Sequence, residues 1–175
     1  MQTQSSFPAS QVFTFCGHIA DDDVLNLKSG YVVAADPQAA IASMQEYGFS
    51  ITAISSLSEV RETIGILELI ARRDSDVDPS EYIDLASDSA DLPICDQSVF
   101  TFVGYYGSDL HEPKVGFAIA TDSILLCDYL QRHQFTVHSV TSLEDLRGAE
   151  RELEAIAAGN PNVDDCNYLN LILSS

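Results

Sequence analysis

Tryptophan is absent from the 175 residues and methionine occurs twice, so neither an indole anchor nor a methionine-rich adaptable surface is available to this chain. Lysine and arginine together number only 8 against 27 aspartates and glutamates. That imbalance excludes the basic footprint of a nucleic-acid-binding protein. No apolar run reaches 18 residues, which excludes a membrane-spanning helix. The opening MQTQSSFPAS lacks a basic region followed by an apolar core and is read as a short disordered arm, residues 1–10, not as a signal peptide. The four cysteines, Cys16, Cys95, Cys127 and Cys166, show no CxxC spacing and are expected to be reduced, mostly buried thiols of a cytoplasmic protein. HExxH, a glycine-rich phosphate loop and a GxSxG elbow are all missing, so the chain carries no motif that defines a catalytic class. A non-enzymatic protein without cofactor is therefore the expectation.

What is present is a repeat. FSITAISSLSEVR at residues 49–61 returns as FTVHSVTSLEDLR at residues 135–147, an offset of 86. The same offset pairs Gly30 with Gly116, Asp36 with Asp122, Leu67 with Leu153, Ile70 with Ile156 and Tyr82 with Tyr168. Upstream the offset is 87 and matches VFTF at residues 12–15 with residues 99–102, and Gly17 with Gly104. A fixed period of this kind signals duplicated structural units. The division expected is copy one over 11–86, a linker over 87–97 rich in small and polar residues, and copy two over 98–175. Units of this size bury too little surface to be secure alone, so the copies are expected to pack on one another.

Each copy reads as β-β-α-β-α-β. Alternating residues 12–15 suit a strand, and the apolar stretch 31–35 a central one, with counterparts at 99–102 and 117–120. Asp36 and Asp122 stand where a helix begins, followed in copy one by Pro37 at the first helical position. Gly48 is the expected left-handed stop, replaced by Gln134 in copy two. After a third strand, Ser56 to Glu59 form a capping box that Ser142 to Asp145 repeat imperfectly. The second helix has Val60, Thr63, Leu67, Ile70 and Ala71 on its inner stripe, and a short final strand closes the unit. The fold class is α+β, a tandem duplication of a two-layer sandwich with its copies related by a pseudo-twofold axis.

The copies differ where function is to be sought. Off the shared stripe, the second helix of copy one carries Ile64, Ile66 and Leu69 where copy two has Glu150, Glu152 and Ala155. An apolar set on the outer side of a helix calls for a cover, from the other copy or from a homodimer partner. Glu144, Asp145, Glu150 and Glu152 are the matching acidic set. The formal charge of −19 is nearly evenly shared, −10 over residues 1–90 and −9 over 91–175, so neither half suits nucleic acid or an anionic membrane. The expected function is an acidic protein-interaction module, an inhibitor or a mimic of nucleic-acid charge that engages a basic protein surface. A small-molecule site or active site in a cleft between the copies is the alternative.

Three smaller features complete the reading. Asp74, Asp76 and Asp78 alternate as in a calcium loop, but Pro79 and Leu85 replace the required glycine and glutamate, so a polar turn is expected and no metal. His138 reads as an ordinary strand residue. Arg61 and Arg147 occupy equivalent places near helix starts, where a cation is unfavourable, and each is expected to pair with a carboxylate.

Overall fold

The structure is a computed structural model that describes residues 11–19, 28–86, 94–108, 112–159 and 168–170. The arm at 1–10, most of the linker and the counterpart of the aspartate turn at 160–164 lie outside the described residues. The protein is mixed α+β with two four-stranded sheets and four α-helices among the described residues. None of these helices is long and apolar enough to cross a membrane.

The first half supplies β1 (Gln11–Ile19), β2 (Lys28–Ala34), α1 (Pro37–Glu46), β3 (Phe49–Ser56), α2 (Leu57–Ala71) and β4 (Ile83–Asp84). The second supplies β5 (Val99–Tyr106), β6 (Lys114–Ile119), α3 (Ser123–Arg132), β7 (Phe135–Ser142), α4 (Leu143–Ala157) and β8 (Tyr168–Asn170). The element order is the one expected, with a single 3-10 turn, Pro79–Glu81, before β4. The signals that set the boundaries are local and act as expected. Asp36 accepts a hydrogen bond from the Ala39 amide at 2.8 Å, and Asp122 one from Leu125 at 2.8 Å. The Ser56 amide donates to Glu59 at 2.7 Å while the Glu59 amide donates to the Ser56 hydroxyl at 3.2 Å, a complete capping box. In α4 the Asp145 amide bonds the Ser142 hydroxyl at 3.1 Å. Gly48 and Gln134 both take left-handed φ, 74° and 61°, and only the glycine does so without steric cost.

Two compact units are formed, Met1–Val60 with Ala149–Ser175, and Arg61–Gly148. This division differs from the one expected from the repeat, because both boundaries fall inside helices α2 and α4. In the unit containing the N-terminus the strand order is β3-β1-β2-β8, with β1 antiparallel to both neighbours and β8 parallel to β2. Phe13, Val32 and Ala34 pack against Ala40 of α1, with Phe15 and Ile54 at the margin. In the other unit the order is β4-β6-β5-β7, again with the central strand antiparallel to its neighbours and the edge strand β4 parallel to β6. Phe100, Phe102, Ala118, Ala120, Leu126, Leu130 and Phe135 form its core under α3.

One expectation is overturned here. The final strand does not close its own repeat: β4 joins the sheet of the second half and β8 the sheet of the first. Both edges present short apolar strands of matching pattern, so the pattern alone does not choose between them.

β1 and β5 also run four residues past the expected end. A bulge between Cys16 and Gly17, and between Val103 and Gly104, lets each strand continue. At Gly104 a β-carbon would meet the Thr136 carbonyl and come within 2.6 Å of the Phe135 ring, and Gly17 stands in the same relation to Ser50 and Phe49. The matched glycines thus make room for the matched phenylalanines. Each phenylalanine ring meets another edge-to-face, Phe49 with Phe15 at 5.5 Å and Phe135 with Phe102 at 5.4 Å.

Candidate functional site

The residues singled out from the sequence fall on two helices. On α2 the buried stripe is Val60, Ile64, Leu67 and Ile70. Ile64 is therefore core, 7% exposed, and Leu69 is half-buried. Ile66 is 38% exposed in the single chain. At about 100° per residue Ile66 is turned well away from the stripe that Leu67 centres.

On α4 the stripe is Leu143, Leu153 and Ile156. Glu144 and Asp145 are exposed in the first turn, where carboxylates suit the positive end of the helix. Glu150 and Glu152 are half-buried. The helical rotation of about 100° per residue explains this: Asp145 and Glu152 flank the stripe on one side, Glu150 and Glu154 on the other, and Glu144 lies opposite. Glu152 is close enough to Tyr31 for its charge to act on the phenol, whose pKa is raised first by burial and then by that carboxylate. The four acids thus form two flanks and a crest, not one patch.

Sequence reasoning expected an ion pair at Arg147 but did not find its partners. The guanidinium donates from Nη2 to Glu68 of α2 at 2.7 Å and from Nη1 to Asp96. Asp96 belongs to the turn Cys95–Ser98, closed by the Ser98 amide bonding the Cys95 carbonyl at 2.9 Å. That turn sits on the start of α4: the Asp96 carbonyl accepts from the Glu144 backbone amide at 3.4 Å, and Nε2 of the Gln97 side chain donates to the Glu144 carboxylate at 2.6 Å. The end of the expected linker is therefore a cap for α4 and an anchor for Arg147. Nothing in the repeat signals it, because Asp96 precedes the matched segment.

The three ion-pair side chains keep 34%, 40% and 46% of their exposure, so solvent screens the pair strongly. Replacing Arg147 by alanine is expected to lower stability by only about 1 kcal/mol in urea unfolding. A loss several times larger would show that the pair is better shielded than its exposure implies.

Beside this pair lies an open cleft of about 360 Å³ lined by Glu68, Ala71, Arg72, Ile94, Asp96, Leu143 and Arg147, all within the Arg61–Gly148 unit. It combines two guanidinium groups with two carboxylates. Arg147 is engaged by both acids, while Arg72 donates from Nε to the Glu68 carbonyl at 3.3 Å and is otherwise exposed. Such a lining suits a small polar molecule.

The cysteine expectation is partly corrected. Cys16 and Cys127 are half-buried and free, but Cys95 is exposed, on the outer side of a turn whose alternate residues Ile94, Asp96 and Ser98 are half-buried; Cys166 lies outside the described residues. Burial pushes the Cys16 and Cys127 thiols up. The Ser98 hydroxyl, 3.2 Å away, and the Gln97 amide hold the Cys95 thiol down. Since the thiolate is the nucleophile, iodoacetamide at about pH 8 should alkylate Cys95 first, as read by peptide mass mapping. Earlier labelling of Cys16 or Cys127 would contradict this geometry.

In the aspartate turn one oxygen of Asp74 accepts from the Asp76 amide at 3.1 Å and one of Asp78 from the Ser80 amide at 2.9 Å. Those Ser80 bonds hold the Asp78 carboxyl below its usual range. Among the described residues no group of three or more His, Cys, Asp and Glu is placed to hold a metal ion. His138 is the extra residue of the β7 bulge and meets Tyr105 edge-to-face at 4.8 Å, while His133 lies 4.4 Å from Tyr129. Comparison with family models, with curated proteins and with solved structures finds no match for this chain.

Proposed function

We propose that the protein is an acidic, non-enzymatic interaction module of the cytoplasm that engages a basic protein surface, as an inhibitor or as a mimic of nucleic-acid charge. In the same reading its two halves are a tandem duplication of a two-layer sandwich related by a pseudo-twofold axis. The observation that carries the functional reading is the outer side of α4. Carboxylates stand on both flanks of its buried stripe and opposite it, on a chain whose formal charge is −19. A field of this sign repels nucleic acid and anionic membrane and accelerates encounter with a cationic surface.

The test uses the full chain and the variant Glu144→Gln, Asp145→Asn, Glu150→Gln, Glu152→Gln as paired baits in a lysate of the source cell. Basic proteins retained by the wild type at about 0.1 M salt, released at about 0.5 M and depleted on the variant are expected, since exposed charges are screened over that range. Retention that is equal on both baits, or unaffected by salt, counts against the reading.

The second reading is a small-molecule site or active site, and the cleft beside Arg147 favours it. Its lining comes from both sequence copies, Glu68, Ala71 and Arg72 from the first and Leu143 and Arg147 from the second.

A further inference from the structure

The two final strands are exchanged between the halves in the same register. Ile83 of β4 pairs with Ala118 of β6, and Leu169 of β8 pairs with Val32 of β2. With the repeat offset of 86, Ile83 corresponds to Leu169 and Ala118 to Val32, so the two pairings are equivalent residue for residue. Each sheet therefore has an outer edge that accepts a strand from a distant stretch of chain. Recognition there is by main-chain hydrogen bonds and alternating side chains, as in strand addition generally. The Met1–Val60 part of its unit is completed by Ala149–Ser175, from the other end of the chain.

We propose that the outer edge of β2 is an interaction surface for a second copy of this chain, which fills it with its own β8 and the part of α4 from Ala149 onward. Reciprocal exchange, with α4 opened where Gly148 meets Ala149, gives a closed dimer in which the β2–β8 ladder of the monomer is kept, the geometry by which domain swapping makes dimers. Exchange opens the ladder of Tyr31 with Tyr168, Val32 with Leu169 and Val33 with Asn170 and withdraws the buried Leu153 and Ile156 of α4. What opposes exchange is the high effective concentration of a donor on the same chain. That concentration is on the order of millimolar. Chains that fold at micromolar concentration thus close on themselves, and chains that fold near a millimolar exchange.

The experiment places Val32→Cys in one tagged chain and Leu169→Cys in another, both in a background with the four native cysteines replaced, and refolds them together under oxidising conditions. Neighbouring strands bring the two Cα atoms about 4.8 Å apart, within disulfide reach. A chain carrying both substitutions is expected to close internally at any concentration. The mixture is expected to give a covalent heterodimer when refolded at about 1 mM, and about a thousandfold less at about 1 µM, following the ratio of chain to effective concentration. No heterodimer at either concentration, with internal closure in the doubly substituted chain, overturns the proposal. Failure of internal closure overturns it too, by removing the pairing on which it stands. Should the cysteine-free background not fold, light scattering of the wild type decides: a dimer that grows with refolding concentration and survives dilution is expected, and a monomer throughout refutes the exchange.

Discussion

Phe135→Ala should cost about 3–5 kcal/mol, the largest effect of any single substitution considered for this protein. The ring is 2% exposed, meets Phe102 at 5.4 Å and Tyr106 at 4.9 Å, both edge-to-face, and sits in the core formed with Phe100, Leu126 and Leu130. Removing it deletes a large apolar surface and two aromatic pairs together, and the room left by Gly104 becomes void. Against a typical total stability of about 5–15 kcal/mol, the loss brings the Arg61–Gly148 unit near its unfolding threshold. Phe49, the counterpart by sequence, is half-buried and has one such ring contact, with Phe15 at 5.5 Å. Its removal should cost roughly half as much, because the transfer energy follows the area taken from water. Urea unfolding of both variants by circular dichroism is the check. Equal losses would show that the two rings do the same work despite their different burial.

That difference marks how far the sequence carries. Element order was legible because its determinants are local: Asp36 and Asp122 cap the amides three residues on, Ser56 and Glu59 satisfy one another, and Gly48 turns left-handed without a β-carbon to clash. The length of β1 and β5 was not legible, since the bulges at Gly17 and Gly104 depend on where a ring from another strand lands. Strand exchange was hidden for a different reason. The acceptors Tyr31-Val32-Val33 and Phe117-Ala118-Ile119 are alike, as are the donors around Ile83 and Leu169, so the repeated sequence offers each donor two edges of similar chemistry. Arg147 was flagged by its match to Arg61, but its partner Asp96, 51 residues away, precedes the matched segment. Of the acidic set, the residue types were read from the sequence, but their split into flanks and crest needed the helix stripe that burial reveals.

The quadruple variant Glu144→Gln, Asp145→Asn, Glu150→Gln, Glu152→Gln should slow association with the captured basic partner by roughly 10-fold at low salt while changing its dissociation by about twofold or less. The formal charge falls only from −19 to −15, so the general attraction of the chain persists and the loss reports the α4 region specifically. Substitution at Glu144 also removes the charged acceptor for Gln97, and at Glu152 the charge that raises Tyr31, but neither contact carries a core. Retained folding is expected, and thermal unfolding of the variant tests that separately.

The most direct test of the acidic-interaction reading is the association rate of wild type and quadruple variant with that partner, measured at a surface from about 50 to 500 mM salt, a range over which the screening length falls from roughly 13 to 4 Å. The account predicts a wild-type rate that drops steeply with salt and converges on the variant's at the highest concentration. A rate indifferent both to salt and to the four substitutions would contradict it, leave the acidity as a matter of solubility, and turn attention to the cleft beside Arg147.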